Sequence, residues 1–294
     1  MNLQGIIPPL VTPMLPDESV DLPGLRAHID FLIGRGVHGV FVLGTTGEFY
    51  ALDEFEKQAV TAAAVEHCRG RSPVYAGTGA ESLREVLRLT KMAEREGVQG
   101  VSVITPYFIK PTQAELYDHF RRVAESTSVD VVLYNNPATC GGVSIEPDTV
   151  ARLAEIPNIV GIKDSSGDLQ NTLETIQRTP SSFSVLMGRD TLLLAALMFG
   201  AKGAIPATCN IAPEFCVGIY EAHRRGDEAA AREFQSRLSP VRMALTLATG
   251  NGAVKEAMAL LGRPAGPNRR PISPLPADKV EKLKGVLKGA GLLG

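Results

Sequence analysis

Three stretches of this chain use one device to pass from helix to strand. They read GRGVHGVFVLG from Gly34, REGVQGVSVIT from Arg95 and MFGAKGAIPAT from Met198. In each, a helix-period segment stops at a glycine, which takes the left-handed cap conformation without steric cost. A small apolar residue packs next, a second glycine turns the chain, and an apolar run follows. That run is continuous rather than alternating, as in a strand covered on both faces. Helix followed by doubly covered strand, repeated, predicts a parallel sheet with helices packed over it.

The same rhythm marks eight strand candidates: Gly5–Leu10, Gly39–Leu43, Val74–Gly77, Gly100–Ile104, Val131–Tyr134, Ile159–Lys163, Ser184–Met187 and Gly203–Ile205. Helix-period segments separate them, at Leu22–Arg35, Asp53–Cys68, Ser82–Glu96, Gln113–Ser126, Ile145–Glu155, Leu169–Arg178 and Thr191–Phe199. Eight such units suit a (β/α)8 barrel, which typically takes about 250 residues. The competing doubly wound open sheet wants a G-x-G-x-x-G turn after an early strand, and none stands there. Helical segments continue past the eighth strand, at Pro213–Arg225, Asp227–Ala248, Ala253–Leu261 and Ala277–Lys288. The expected fold is an α/β TIM barrel over residues 1–224 with a C-terminal helical appendage over 225–294. The stretch GRPAGPNRRPISPLPADK reads as a loop before the last helix, its basic part solvated.

Composition removes several function classes. A net charge of −2 gives no electrostatic case for nucleic acid or an anionic membrane surface. Apolar runs break well short of the roughly 18 residues a membrane span needs. The N-terminal residues MNLQGIIPPLVTPMLPDE lack a basic n-region and carry prolines, unlike a signal peptide. Cys68, Cys140, Cys209 and Cys216 are widely spaced, which fits free thiols in a cytoplasmic protein. The five histidines show no metal-ligand spacing, so no metal is expected.

In a barrel of this kind the active site lies at the C-terminal ends of the strands. The candidate strands end in Thr12-Pro13, Gly44-Thr45-Thr46-Gly47-Glu48, Gly77-Thr78-Gly79, Thr105-Pro106-Tyr107, Tyr134-Asn135, Lys163-Asp164, Gly188-Arg189-Asp190 and Pro206-Ala207-Thr208. Hydroxyls dominate, carboxylates are few and histidine is absent. Lys163 stands where an apolar run stops, in NIVGIKDSSG. A lysine in a low-dielectric mouth can be neutral and nucleophilic, and its natural partner is a carbonyl, giving a Schiff base. Tyr134 can shuttle protons. The Gly44–Gly47 turn offers N–H groups and hydroxyls to a small carboxylate. Together these describe a site for a 2-oxo acid. Each piece has a plainer reading: Lys163 as a rim ion pair with Asp164, Tyr134 as a wedge with a wet hydroxyl, the turn as backbone geometry alone.

With those motifs in view, the chain resembles the dihydrodipicolinate synthase and N-acetylneuraminate lyase family of class I, pyruvate-utilising aldolases. GTTGE at Gly44, TPY at Thr105, YNNP at Tyr134, GIKDSSGD at Gly161 and GAIPAT at Gly203 carry the resemblance, which covers nearly the whole chain. It implies a (β/α)8 barrel with C-terminal helices, a homotetramer built as a dimer of dimers, and no cofactor. It gives Lys163 the Schiff base, Tyr134 the general acid and base, and Thr45 a proton relay with that tyrosine. Thr46 would hold the substrate carboxylate, and Gly188 and Ile205 would line the pocket.

Departures from the family pattern bear on substrate. Thr139 stands where dihydrodipicolinate synthases carry an arginine that grips the aldehyde substrate's carboxylate. Phe108 stands where they place a second tyrosine, beside Tyr107. Glu54, Lys57 and Glu81 replace the His, His and Asn of lysine-inhibited members, so no lysine inhibition is expected. The missing arginine favours an aldolase for 2-oxo-3-deoxy sugar acids or hydroxy-oxo acids. The alternatives are 4-hydroxy-tetrahydrodipicolinate synthase, N-acetylneuraminate lyase, a sugar-acid dehydratase, or a barrel that binds 2-oxo acids without turnover.

Overall fold

Backbone pairing in the structure, a computed structural model that describes residues 3–294, follows chain order around a closed parallel sheet. The strands are β1 (Gly5–Ile6), β2 (Val40–Val42), β3 (Val74–Gly77), β4 (Gly100–Ile104), β5 (Asp130–Asn135), β6 (Ile159–Asp164), β7 (Ser184–Met187) and β8 (Gly203–Ala204). Each pairs in parallel with the next from β2 to β8, and β8 pairs with β1. A single bridge between Pro9 and Phe41 joins β1 to β2 and completes the (β/α)8 barrel.

Helices α1 (Leu22–Gly34), α2 (Glu54–Cys68), α3 (Leu83–Glu96), α4 (Gln113–Glu125), α5 (Pro147–Leu153), α6 (Leu169–Arg178), α7 (Leu193–Met198) and α8 (Pro213–Arg224) alternate with the strands. Five of the eight start on a side-chain cap, from Asp21, Asp53, Ser82, Thr112 and Asp168. Asp53 with Glu56 and Thr112 with Glu115 form reciprocal capping boxes at α2 and α4. The sequence places the start of α5 at Ile145, but it begins at Pro147, whose missing N–H is free of cost in a first turn.

The repeated glycine device works differently from the expectation. A left-handed glycine follows the helix in each copy, with φ of 81° at Gly36, 87° at Gly97 and 103° at Gly200. The glycine three residues later, at Gly39, Gly100 and Gly203, does not turn the chain. It lets a neighbouring strand come close: a Cβ on Gly203 would stand 2.0 Å from the Gly5 carbonyl oxygen, and one on Gly100 2.8 Å from that of Asp130. Strands β1 and β8 are also shorter than expected, because Pro8, Pro9 and Pro206 have no N–H to give to a ladder.

Strand side chains divide between two apolar layers. Leu3, Ile7, Phe41, Tyr75, Val132, Leu186 and Ile205 form one cluster. Val132 shares its strand face with Tyr134, so this cluster lies on the face that carries the site. The opposite faces, with Val101, Val103, Val131 and Leu133, pack against the helices in the larger core. All four cysteines are free and buried. Among the described residues no helix is long and apolar enough to cross a membrane.

Three more helices follow: α9 (Glu228–Ala244), α10 (Gly252–Leu260) and α11 (Ala277–Gly289). The proline-rich loop before α11 is not simply solvated, as the sequence suggests. Arg269 pairs with Glu56 at 2.6 Å and donates to the Ala51 carbonyl oxygen at 2.8 Å. Arg263 donates to the carbonyl oxygens of Asn210 and Ile211. The loop is fastened to the barrel by its basic residues.

Burial holds two histidines neutral. His28, bonded to Asn210 at 2.9 Å, and His119, against the Phe120 ring, are each pushed by desolvation from 6.5 down to about 4. The unfolded chain takes up these protons from about pH 6.5 while the folded chain refuses them. Their stabilisation is therefore complete above that pH and is lost as pH falls towards 4. We expect urea-unfolding free energy to drop across this window by up to about 3 kcal/mol for each histidine. His119→Leu should flatten its part of the slope, and an unchanged slope would exclude it as a source.

Candidate active site

Lys163 and Tyr134 are register partners across β6 and β5. Side chains alternate along a strand, so partnered residues share a face. Lys163 is 4% exposed, and its Nζ lies 4.2 Å from the centre of the Tyr134 ring and 5.3 Å from that of Phe41. Negative ring faces stabilise a cation there without neutralising it.

The rim ion-pair alternative fails on geometry. Asp164 points to the other face, where it accepts from Asn135 Nδ2 at 3.1 Å, Ser166 N at 3.0 Å and Thr172 Oγ1 at 2.6 Å. Among the described residues Lys163 makes no ion pair, which leaves its amine facing the cavity.

The Tyr134 hydroxyl lies 3.3 Å from Thr45 Oγ1 and accepts from Asn136 Nδ2 at 3.1 Å. Burial alone would raise its pKa from 10.0. The Lys163 charge, with the Thr45 and Asn136 hydrogen bonds, outweighs burial and holds it below that value.

Thr45 and Thr46 open a short 3-10 turn, Thr45–Gly47, directly after β2. Neither backbone N–H finds an acceptor among the described residues. The turn is held from outside the barrel sequence. Asn251, at the start of α10, donates to the carbonyl oxygens of Thr45 at 2.9 Å and Thr46 at 2.8 Å. Glu48 takes the left-handed conformation, with φ of 56°, and is fully buried. It pairs with Lys255 of α10 at 2.6 Å and accepts from Arg269 N at 2.9 Å. Lys255 also donates to the Pro267 carbonyl oxygen at 2.7 Å. Burial pulls the Lys255 ammonium below its ordinary value, with Glu48 opposing that shift.

Thr45, Thr46, Tyr134, Thr139, Lys163, Gly188 and Ile205 line one cavity of about 210 Å³. Gly188 keeps it open, since a Cβ there would come within 2.0 Å of the Ser165 hydroxyl oxygen. Tyr107 does not reach this cavity. It lines a neighbouring one of about 160 Å³ that shares Thr45 and Thr139. Burial, then the charge of Glu81, raises the Tyr107 hydroxyl pKa. Strand-end reasoning placed Arg189 at the end of β7 without giving it a role, and missed Asn136 and Arg242 of α9 as lining residues. It also missed Asn251 and Lys255. The three C-terminal residues carry no local signal, because only tertiary packing brings their helices to the barrel mouth.

Comparison with known proteins shows the family. Residues 2–290 match the model of the dihydrodipicolinate synthetase family. A 4-hydroxy-tetrahydrodipicolinate synthase of Methanoculleus marisnigri is 41% identical over 291 residues, covering 98% of this chain and 99% of that protein. One from Methanopyrus kandleri is 40% identical over 294 residues, covering 99% and 98%. Dihydrodipicolinate synthase from Thermotoga maritima superposes with a TM-score of 0.96 at 34% identity, over all of both chains. A prophage protein of this family from E. coli K12, in complex with pyruvate, gives 0.95 at 37%, over 99% of each. The chain belongs to the dihydrodipicolinate synthetase family of pyruvate-using class I aldolases, and it is a lyase.

Two outcomes test the site. Lys255→Met leaves Glu48 as an uncompensated buried charge and should cost about 3–5 kcal/mol in denaturant unfolding, with Glu48→Met in the same chain restoring much of it. In Lys163→Met the largest influence lowering Tyr134 is gone. Its hydroxyl should then ionise at higher pH in a near-ultraviolet titration, with Tyr134→Phe identifying the signal. An unmoved titration would show that the lysine charge does not act on Tyr134.

Proposed function

We propose that this member of the dihydrodipicolinate synthetase family carries pyruvate as an imine on Lys163 and joins the derived enamine to an aldehyde that bears an acid group. The lysine amine adds to the ketone carbon and water leaves. The protonated imine draws electrons from the adjacent methyl group, which gives up a proton to form the enamine. The enamine carbon bonds to the aldehyde carbon, and the aldehyde oxygen takes up a proton. Water then hydrolyses the new imine, releasing product and restoring the amine.

Tyr134 is the proton carrier. Its lowered pKa suits both donation and acceptance, and Thr45 links its hydroxyl to the turn. The free N–H groups of Thr45 and Thr46 receive the pyruvate carboxylate. One observation carries this assignment: a buried lysine with no ion partner among the described residues stands in register with a tyrosine whose hydroxyl is already oriented by hydrogen bonds.

The relatives named 4-hydroxy-tetrahydrodipicolinate synthase support the condensing direction, with an acceptor such as aspartate semialdehyde. That reverses the order expected from the sequence, which put sugar-acid or hydroxy-oxo-acid cleavage first. Cleavage stays as the second reading because of Thr139. It lines the cavity with a hydroxyl, bonded to the Asn136 carbonyl oxygen at 3.3 Å, where the synthases carry a cation. We also propose a homotetramer. The loop tip at Phe108 and Ile109 is 91% and 74% exposed, an apolar surface that a second copy would cover.

Borohydride reduction with pyruvate, followed by peptide mapping, should place a pyruvyl adduct on Lys163. Lys163→Ala should lose turnover by at least about a thousandfold, and Tyr134→Phe by about a hundredfold or more. Folded protein that forms no adduct, or a Lys163→Ala variant that still turns over, would overturn the assignment. An acceptor panel then separates the two directions. Condensation of pyruvate with aspartate semialdehyde outpacing cleavage of 2-oxo-3-deoxy sugar acids supports the first reading, and the reverse order supports the second.

A further inference from the structure

Two arginines line the Lys163 cavity and take no part in the chemistry above. Arg189 follows Gly188 at the end of β7, and Arg242 comes from α9. Both are half-buried. Among the described residues neither makes an ion pair, and neither side chain makes a hydrogen bond.

A half-buried guanidinium that has lost part of its hydration without gaining a partner is an anion site in waiting. The local backbone makes room for one of them. Gly167 has φ of 80°, and a Cβ there would lie 3.1 Å from Arg189 Nε and 3.2 Å from its Nη2.

Charge around the cavity points the same way. Apart from Lys163, the charged lining residues are Arg189, Arg242 and Asp190, two positive and one negative. Asp190 is committed to the fold, accepting from Thr208 N at 2.9 Å. A positive surplus of one remains even with Lys163 left out. Pyruvate does not use it: the charge of its carboxylate is balanced by the imine cation that forms from its ketone. A ligand that neutralises the surplus carries a second acid group. Thr139, after β5, offers that group no charge, and its hydroxyl already donates to the Asn136 carbonyl oxygen at 3.3 Å.

We propose that Arg189 and Arg242 form a second anion subsite, which takes the distal carboxylate of an acid aldehyde acceptor or of a 2-oxo diacid. The subsite rests on the imine assignment made above. It places recognition of the second carboxylate on β7 and α9 rather than on the segment after β5.

Two probes of equal chain length test it, 2-oxoglutarate and 2-oxopentanoate. They differ only in a carboxylate against a methyl at the far end. Each competes with pyruvate for borohydride trapping on Lys163. The diacid should compete at least about tenfold better in the wild-type chain, and Arg189→Met and Arg242→Met should each cut that preference to about threefold or less. Arg189→Lys and Arg242→Lys retain charge without the planar fork and should keep part of it, and they serve if a Met variant does not fold. Equal competition by the two probes in the wild type, or a preference that survives in both Met variants, overturns the subsite. A wild-type chain that traps no pyruvate takes down the imine assignment and the subsite together, whereas trapping without diacid preference removes the subsite alone.

Discussion

Alternation of side chains along a β-strand is the constraint from which this site grows. Lys163 and Asp164 are consecutive, so one faces the cavity and the other the helices. Asp164 is thereby taken away from the lysine and engaged by Asn135, Ser166 and Thr172. Pairing of β5 with β6 brings Tyr134 level with Lys163, and the barrel's closure brings the turn after β2 to the tyrosine hydroxyl. A slip of one residue in β6 would exchange the two charged groups and leave an aspartate against Tyr134. In β6 itself Gly161 sits so close to β7 that a Cβ would stand 2.4 Å from the Ser184 carbonyl oxygen, and a slip that put a larger residue there would clash.

The turn that presents Thr45 and Thr46 is set by a different kind of contact. A left-handed glutamate is a costly choice, and so is a carboxylate with no solvent. Both are tolerated because Glu48 meets Lys255 and the Arg269 N–H, while Asn251 donates to the carbonyl oxygens of Thr45 and Thr46. The carbonyl of Thr45 shares its peptide plane with the Thr46 N–H, so the contact that holds the one also fixes the other. Buried polar contacts of this sort specify one conformation more than they stabilise it.

Much of this was legible in the amino-acid order. Continuous apolar runs located the strands, and β3, β4 and β7 match their expected ends because each run is bounded by residues that leave the ladder. Lys163, Tyr134, Thr45 and Thr46 could be gathered because strand ends converge in any barrel of this type. What could not be read is tertiary. Proline shortened β1 and β8, and the second glycine of the repeated device served a neighbouring strand rather than its own segment. Arg242, Asn251 and Lys255 sit on helices whose periodicity gives a buried face but not the surface it will meet. Arg189 was visible at a strand end and carried no signal to separate it from an ordinary rim cation.

The fastening of the turn after β2 by α10 and the loop beyond it has a consequence for synthesis. Asn251 lies 206 residues after Thr45, and Arg269 lies 221 after Glu48. A ribosome delivers the barrel strands first, and a nascent chain that has released only those strands has the lysine and the tyrosine but not the residues that shape the turn. The carboxylate binding proposed for this turn would wait until the final helices emerge. A partly made chain would thus be spared from reacting with cellular oxo acids while its core is still closing.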